Sequence, residues 1–405
     1  MNKLTRLTIN KFRNVVPTTL EFRPGINVVL GRNAAGKTTL LRLLSTMLGY
    51  PGDSFPDELL SANCRVTGDQ FNFEQSTSRV HIEEPSFPLD PSLPRTGSRS
   101  SLQQLDSLRF EQDGNTVLRA EALPTEVVIN RAGHSRREAR SPQAAPVLAI
   151  VLGLWKDKSN EAQELASRLV TSYVKTAGRM DESLNRFNAF LNLEIQSDGE
   201  QKAWSGSHFP FSMIEIQKAP IPDGNIATYS LAFLDRAAKA LGYDSATARF
   251  DVERLSPEPN RHIARLSNLK FFFKRPGEEV SHDWLSYGQK RLLAFFAHSD
   301  ASPDIVIADE LVNGLHHEWI SACLDEIGER QAFLTSQNPL LLDFLRFENL
   351  EQVRHTFIIC ERTGSAENAQ LIWRNLTEEE AESFFLAYQT GIQRVSDILL
   401  TKGLW

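Results

Sequence analysis

The chain has few cysteines and no long apolar run, and each shortage excludes a class of protein. Among its 405 residues the three cysteines, Cys64, Cys323 and Cys360, are far apart and form no C-x-x-C pair, so neither a disulfide framework nor a zinc site is indicated. The longest apolar run, residues 144–155, is interrupted by Pro146 and is too short to span a bilayer. The N-terminus has no signal-peptide core, so we expect a soluble, cytoplasmic protein with no membrane partner.

The sequence also has no net positive charge. The formal net charge is −7, so no global basic field attracts nucleic acid, and contact with DNA or RNA would need a local patch. The densest group of basic residues, the basic cluster, comprises Arg131, His134, Arg136, Arg137 and Arg140. It predicts either a phosphate-binding loop or a solvated surface loop that could also face an acidic neighbour subunit. The negative net charge and the absence of interleaved aromatic residues favour the surface loop.

A complete P-loop, G-x-x-x-x-G-K-[ST], begins at Gly31. An apolar strand-type run precedes it and a good helix former follows it, which is the setting that a phosphate-binding loop requires and a chance match lacks. Glycines allow successive N–H groups to point at phosphate oxygens, Lys37 reaches the β/γ-phosphates, and Thr38 ligates the accompanying Mg²⁺. The predicted nucleotide-binding residues are Gly31, Arg32, Asn33, Ala34, Ala35, Gly36, Lys37, Thr38 and Thr39.

Between this loop and the next motif lie nearly 250 residues of mixed patterning, and a shorter patterned segment precedes the loop. Alternation predicts strands over 3–12 and 18–22, the sequence QDGN at 112–115 predicts a hairpin turn, and residues 127–129 predict a further strand. Helical spacing predicts helices over 161–180, 184–191 and 230–241, whereas the Pro- and Ser-rich segment 85–101 predicts an irregular loop. Because no heptad pattern is sustained, a long coiled coil is excluded.

The motif Leu285-Ser286-Tyr287-Gly288-Gln289 stands before a helical apolar run. It resembles the signature motif of ABC-type ATPases, with a tyrosine in place of the first glycine. By that resemblance Ser286, Gly288 and Gln289 would bind the γ-phosphate at a helix N-terminus. The same spacing also predicts a capping box, in which Ser286 and Gln289 cap the helix, and the two interpretations are compatible.

Two further motifs follow in order. The apolar run 305–308 is followed by Asp309 and Glu310, a Walker B pattern in which Asp309 supports Mg²⁺ and Glu310, facing the other way along a strand, activates the attacking water. The alternative is a strand-end turn with two solvated acids. In the next motif Gln337 occupies the place of the switch residue, commonly histidine in ABC ATPases, and can donate to a γ-phosphate without titrating near neutral pH.

The whole set resembles ABC-class ATPase heads of the SMC, RecF and OLD-type group. The run 10–14, which ends with Arg13 and Asn14, resembles the strand end before the P-loop in that group, and the segment 25–33 resembles its entry to the loop. The group implies an α/β fold, a P-loop NTPase head of ABC type with a mixed N-terminal β lobe and a parallel-sheet core, and Arg13 as a further nucleotide contact. It also implies a Q-loop glutamine, for which Gln70 and Gln75 are both candidates. His316 replaces the usual D-loop aspartate.

The resemblance implies ATP and Mg²⁺ as ligands, ATP hydrolysis with Glu310, Lys37 and Gln337 as catalytic residues, and a homodimer or higher oligomer formed around ATP. We predict a head in two parts, residues 1–140 and 281–405, separated by a compact, largely helical insertion over 141–280. Such heads act in anti-phage defence or DNA maintenance beside a separate effector such as a nuclease. Two alternatives are a non-hydrolysing nucleotide-gated scaffold and, disfavoured by the long distance between P-loop and signature, a transporter ATPase subunit.

Overall fold

The structure is a computed structural model that describes residues 1–49, 55, 57–69, 71–85, 98–140, 146–172, 180, 191–196, 201–205, 212–213, 216, 224–255, 261–364 and 368–404. The chain divides into two compact units. Unit 1 comprises Met1–Val174, Phe347–Gln393 and Ile398–Trp405, and unit 2 comprises Lys175–Arg346 and Arg394–Asp397. Candidate Gln70, residues 86–97 of the expected loop and residues 181–190 of the second expected helix lie outside the described residues.

The described residues contain both strands and helices, with runs of consecutive strands. The strands are β1 (Lys3–Phe12), β2 (Thr18–Glu21), β3 (Ile26–Leu30), β4 (Leu60–Thr67), β5 (Phe71–Pro85), β6 (Ser98–Gln112), β7 (Asn115–Ala122), β8 (Glu126–Arg131), β9 (His134–Ala139), β10 (Leu191–Gln196), β11 (Gln201–Ser205), β12 (Ile226–Tyr229), β13 (Ser245–Leu255), β14 (Arg261–Arg275), β15 (Glu278–Ser281), β16 (Ile305–Ala308), β17 (Gln331–Thr335), β18 (Phe357–Thr363) and β19 (Gln370–Asn375). The helices are α1 (Lys37–Met47), α2 (Pro146–Trp155), α3 (Asn160–Ser172), α4 (Ala232–Ala240), α5 (Tyr287–Asp300), α6 (His317–Ile327), α7 (Leu340–Asp343), α8 (Leu350–Thr356), α9 (Glu378–Gln389) and α10 (Val395–Thr401).

An eight-stranded antiparallel sheet forms much of unit 1, in the order β2-β1-β4-β5-β6-β7-β8-β9. Its strands alternate in burial as their sequences alternate in polarity; in β4 every second residue is buried. The predicted hairpin is confirmed, because Gln112 pairs with Asn115 across Asp113 and Gly114, which take φ values of 49° and 78°. Positive φ at both central residues is typical of the tight turn that matches strand twist.

A smaller set of strands in unit 1 carries the P-loop. Strand β3 runs parallel to β18, with Leu30 opposite Ile359, and β18 is antiparallel to β19. Strand β3 is almost wholly apolar and buried, as expected for a strand inside a parallel sheet. Helix α1 begins at Lys37, directly after the loop, and α8 packs against β3. The predicted strand–loop–helix order is therefore confirmed.

Helix α2 covers β7 and β8 of the eight-stranded sheet and packs on α3. A Cβ on Gly153 would lie 2.6 Å from Cδ1 of Ile129, so glycine permits this close approach of helix and sheet. The long apolar run thus forms a packed helix, although Leu148, Leu152 and Trp155 are exposed. Within the described part of the chain, no helix has the length and hydrophobicity needed to cross a bilayer.

Unit 2 contains a second antiparallel sheet, in the order β11-β10-β14-β13-β12 with β15 paired to β14. Helix α4 packs on β13 and on α5, which in turn packs on α6. Strands β16 and β17 run parallel, with Ala308 opposite Leu334. The predicted helix over 230–241 is found as α4, and the helix predicted over 161–180 is found as α3 as far as Ser172, since residues 173–179 lie outside the described residues. The helix expected to continue to Leu191 is wrong at that residue, because Leu191 begins β10 and pairs with Leu266 of β14.

Aromatic side chains from α4 and β14 form the core between helix and sheet in unit 2. Phe233 and Phe271 are fully buried and meet edge to face, with ring centroids 5.8 Å apart and planes at 89°. The next residue, Phe272, points the other way, where Arg249 lies 4.0 Å from its ring centroid. Because side chains alternate along β14, Phe271 lies in the core and its neighbour Phe272 lies on the opposite, partly exposed face.

Replacing Phe271 with alanine is expected to lower the free energy of unfolding by about 3–5 kcal/mol, because it removes a buried ring and leaves a cavity. Phe272→Ala is the matched control and should lower it by less than about 1.5 kcal/mol, since its ring is only half-buried. Urea denaturation followed by fluorescence measures both changes. Equal losses in the two variants would contradict the packing described here.

Candidate functional site

The P-loop leaves the end of β3 in a conformation that only a few residue types adopt. Gly31 has φ of 141° and Gly36, which caps α1, has φ of 88°. A Cβ on Gly31 would lie 2.1 Å from the carbonyl oxygen of Cys360 on the neighbouring strand β18. Glycine is thus required at the start of the loop both for its backbone angle and for lack of space.

Lys37 is folded back over its own loop. Its ammonium group donates to the carbonyl oxygens of Gly31 and Arg32 at 2.8 and 3.2 Å. Thr38 is exposed beside it, as are Arg32, Asn33 and Ala34. The Lys37 bonds thus hold the loop backbone, while four of the residues predicted to bind phosphate are exposed.

Strand β19 supports the loop from below. The indole of Trp373 donates to the carbonyl oxygen of Ala35 at 3.3 Å, and a Cβ on Gly36 would lie 3.0 Å from Leu371 and 3.2 Å from Trp373. Trp373 is fully buried, so its N–H group needs a partner and finds it in the loop. Sequence reasoning missed this support; the one available signal was a tryptophan in a short alternating strand.

Arg13, expected to contact nucleotide, lies in unit 1 with φ of 48°. Its guanidinium makes two 2.5 Å hydrogen bonds to the carboxylate of Glu58 and lies 5.1 Å from the ring centroid of Phe55. The Glu58 carboxylate raises the pKa of Arg13, and the Arg13 bond lowers the pKa of Glu58. Any ligand that used Arg13 would compete with this fork-shaped pair.

The signature motif lies at the start of α5 in unit 2. Ser286 caps the helix, accepting from the N–H of Gln289 at 3.4 Å, while the Gln289 side chain accepts from the N–H of Ser286 at 2.9 Å. The predicted capping box is therefore confirmed. Trp284 and Tyr287 beside it are 83% and 68% exposed, which leaves this helix end accessible within the unit.

The two Walker B acids follow β16 directly, and Thr335 at the end of β17 holds both. The Thr335 hydroxyl donates to Oδ1 of Asp309 and accepts from the N–H of Glu310 at 2.7 Å. Asp309 is buried, with 8% of its surface exposed. The interpretation of these residues as two solvated acids is therefore wrong for Asp309. Thr335 itself was missed, and its only signal was a hydroxyl at the end of an apolar strand.

Glu310 does not continue the strand. The strand ends at Ala308, and Glu310 takes the left-handed conformation, with φ of 48°. The expectation that the two acids diverge because adjacent strand residues alternate is therefore wrong in its reason. At Glu310 the backbone instead enters a tight turn, closed by the N–H of Asn313 on the Glu310 carbonyl at 3.0 Å, and the two carboxylates have different partners.

Both carboxylate oxygens of Glu310 receive amide hydrogen bonds. The Gln337 amide donates to Oε1 at 2.5 Å, and the Asn313 amide donates to Oε2 at 3.3 Å. The predicted switch residue thus meets the predicted general base directly. Asn313 was not predicted, and its position three residues after Glu310 was the available signal.

Two further predicted residues, Gln75 and His316, lie on different elements from the groups described above. Gln75 lies inside β5 and is buried, with its side-chain oxygen lacking a partner among the described residues. His316 caps α6 and lies 5.1 Å, centroid to centroid, from Trp319. Gln75 and Gln70 both stay candidates for the Q-loop residue.

The basic cluster forms a hairpin, because its members occupy β8, β9 and the turn and exit that flank them. The expectation of a loop is therefore wrong. Most of the charge is paired within unit 1: Arg136 with Glu138 at 2.6 Å, Arg137 with Glu126 at 3.2 Å, and Arg131 with Glu161 at 3.3 Å. Bonds from Lys156 and Arg136 lower the pKa of Glu138, so that acid stays charged.

The predicted residues thus form two groups, each assembled within its own unit. Unit 1 brings together the P-loop residues, and unit 2 brings together the acids Asp309 and Glu310 with Gln337. The Thr38 hydroxyl of unit 1 and the Asp309 carboxylate of unit 2 are each hard oxygen donors of the kind that Mg²⁺ prefers. Mg²⁺ usually keeps several waters and phosphate oxygens as further ligands, so either group has the chemistry of a protein ligand to this ion.

Comparison with known proteins gives matches of three kinds. Residues 26–343 match the AAA_21 family, described as "AAA domain, putative AbiEii toxin, Type IV TA system". The DNA replication and repair protein RecF of Psychromonas ingrahamii is 50% identical over 94 residues, which are 23% of this chain and 25% of that protein. RecF of Limosilactobacillus reuteri is 26% identical over 28% of its length. The chain therefore spans about a quarter of the length of these two relatives.

A third RecF, from Lactobacillus delbrueckii subsp. bulgaricus, is 22% identical over 88% of this chain and 95% of its own length. Among solved structures, the SMC head bound to the C-terminal winged-helix domain of ScpA covers 92% of this chain and 98% of that chain, at 10% identity and a TM-score of 0.39.

Gly31→Ala is expected to destabilise the protein by at least about 3 kcal/mol, because the new Cβ meets backbone rather than a flexible side chain and φ is unfavourable. Gly114→Ala is the matched control: its φ is also positive, at 78°, but nothing lies within 4 Å of the added atom. That variant should lose only about 1–2 kcal/mol. Chemical denaturation compares them, and a Gly31→Ala protein as stable as Gly114→Ala would refute the close contact with Cys360.

Proposed function

The chain belongs to the AAA_21 family, and we propose on this basis that it is an ATP-hydrolysing switch that associates with a second copy around ATP. Family membership supports a P-loop ATPase of the RecF and SMC type with an α/β P-loop NTPase fold. The observation that carries the proposal is the arrangement at Glu310, where the general base of the Walker B pattern is held by the switch residue Gln337 at 2.5 Å.

In this proposal the P-loop residues bind the phosphates of ATP. Lys37 leaves its loop carbonyls for the β/γ-phosphates, and Thr38 and Asp309 would hold Mg²⁺, which would neutralise charge on the phosphates. Glu310 orients and deprotonates the attacking water. Gln337 releases Oε1 of Glu310 when it donates to the γ-phosphate instead, so arrival of ATP frees the base that hydrolyses it.

The second copy is proposed from the signature motif. In heads that carry this motif, it completes the site of the partner, so Ser286, Gly288 and Gln289 would serve the nucleotide of another chain. The helix end is capped and its flanking residues Trp284 and Tyr287 are exposed, which supports a contact there. ATP bound between copies would stabilise the dimer, and hydrolysis would release it.

The process served by the switch is proposed from the relatives. The family description names a toxin of a toxin–antitoxin system, and the curated relatives are named for DNA replication and repair. We propose a role in anti-phage defence or DNA maintenance, with a separate effector such as a nuclease responding to the ATP-bound dimer.

A non-hydrolysing, nucleotide-gated scaffold is the second candidate function. It is favoured by one observation: each oxygen of Glu310 already accepts an amide hydrogen bond, so the proposed base is partly engaged in this arrangement. Release of inorganic phosphate from ATP separates the two functions, because a scaffold would bind ATP without turnover above the Lys37→Ala background.

Glu310→Gln is expected to bind ATP and lose hydrolysis by at least about 100-fold, since the amide cannot accept a proton, and so to accumulate as an ATP-bound dimer. Lys37→Ala should lose nucleotide binding because it removes the charge that meets the phosphates. Sedimentation velocity with and without ATP measures the association, and phosphate release measures turnover. A Glu310→Gln protein that stays monomeric with ATP, where the wild type is also monomeric without it, would rule out the dimer model.

The basic cluster yields a prediction about nucleic acid. Because Arg136 and Arg137 are already paired with Glu138 and Glu126, reversing both to glutamate is expected to change duplex DNA affinity by less than about threefold. Fluorescence anisotropy at two salt concentrations makes the measurement, with wild-type protein as the reference. A tenfold loss with a shallower salt dependence would instead identify the hairpin as a phosphate-binding surface.

A further inference from the structure

Arg291 clasps the backbone around the proposed general base. It lies on α5, two residues after the signature motif, and its guanidinium bonds three consecutive carbonyl oxygens: that of Asp309 at 3.0 Å, that of Glu310, and that of Leu311 at 3.2 Å. These carbonyls follow the end of β16, where no strand ladder continues. A planar guanidinium can span several acceptors at once, which an ammonium group cannot do.

These Arg291 hydrogen bonds hold the backbone at Glu310, which has an unfavourable conformation. Glu310 has a positive φ, which a residue with a Cβ adopts only when its surroundings hold it there. Its N–H is held by Thr335, its carbonyl by Arg291, and its carboxylate by Gln337 and Asn313. Arg291 is the member of this set that belongs to the signature helix.

A second contact joins the same two segments. A Cβ on Gly288 would lie 2.7 Å from the carbonyl oxygen of Gly314, and a Cβ on Gly314 would lie 3.3 Å from the Tyr287 ring. The first turn of α5 therefore packs tightly on the turn that follows Glu310. Displacement of the helix end would move this turn as well, because close-packed groups do not slide independently.

We propose that Arg291 is a positioning residue for Glu310 and that it couples the placement of this base to the nucleotide bound at the signature motif. The inference rests on the proposed function, in which the signature helix meets the ATP of the partner copy. A γ-phosphate seated at the start of α5 would thereby set the geometry of Glu310 in the same chain. Each head would hydrolyse its own ATP efficiently only when the partner's ATP is in place.

The test compares Arg291→Lys with Arg330→Lys. Arg330 is the matched control, because it also clasps backbone carbonyls in unit 2, those of Ser299 at 2.5 Å, Ile327 at 3.0 Å and Glu326, on a segment apart from Glu310. Both variants keep the positive charge and lose the planar guanidinium that bonds several carbonyls at once. The readouts are the Kd of ATP, kcat, the Hill coefficient for ATP hydrolysis and the Tm.

For Arg291→Lys we expect ATP affinity within about twofold of wild type, kcat lowered by at least about tenfold, and a Hill coefficient that falls from near 2 to near 1. Arg330→Lys should lower the Tm while leaving kcat and the Hill coefficient unchanged. An Arg291→Lys protein with wild-type kcat and cooperativity overturns the inference, as do losses in the two variants that follow Tm alone.

Wild-type protein is assayed first, so that failure of the proposed ATP hydrolysis is distinguished from failure of the coupling through Arg291. No turnover above the Lys37→Ala background means that the proposed function fails and the inference with it. Turnover without cooperativity overturns the coupling alone. If Arg291→Lys does not fold, the test is amide hydrogen exchange of residues 309–314, compared between wild type and Ser286→Trp. ATP should slow this exchange in wild type but not in Ser286→Trp, in which the tryptophan blocks the start of α5. An equal effect of ATP on both proteins overturns the coupling.

Discussion

One hydroxyl group, that of Thr335, bonds both of the adjacent acids Asp309 and Glu310 in unit 2. Strands β16 and β17 run parallel with Ala308 opposite Leu334, so the residues that follow, Asp309 and Thr335, come side by side. The hydroxyl then donates to one acid and accepts from the backbone of the other. Thr335 thus fixes the backbone N–H of Glu310, whose carboxylate bonds Gln337 from the same motif as Thr335.

Unit 1 builds the P-loop by the same geometry. Strands β3 and β18 are parallel with Leu30 opposite Ile359, so the loop leaves β3 against the carbonyl of Cys360. In open α/β sheets the carboxyl ends of parallel strands are where ligand-binding loops collect. In both units chemistry-bearing residues therefore follow directly after a buried strand, and the neighbouring strand supplies the contact that orients them.

The parts that local chemistry determines could be predicted from the sequence. The P-loop with its flanking strand and helix, the Asp113-Gly114 turn, the capping box at Ser286 and the identity of Gln337 each follow from spacing within a few residues. The parts that depend on distant partners could not be predicted. The bonds of Arg291, Thr335 and Trp373 join segments far apart in sequence, and the six-stranded sheet of unit 2 pairs β10 with β14 across many residues. Leu191 has an apolar neighbour pattern compatible with a helix, and only its cross-strand partner makes it a strand residue.

Lys37 satisfies two of its N–H donors on carbonyls of its own loop, and this sets the terms on which any anion is recognised. A ligand gains only the difference between its bonds to the ammonium group and the two it displaces, and bonds to a charged group contribute about 1.5–3 kcal/mol each. A polyphosphate long enough to reach the ammonium group replaces both; a single phosphate that stops short leaves the lysine where it is. In the proposed complex with ATP the loop would therefore discriminate by the number of phosphates, and the base of the nucleotide would contribute only through other parts of the protein.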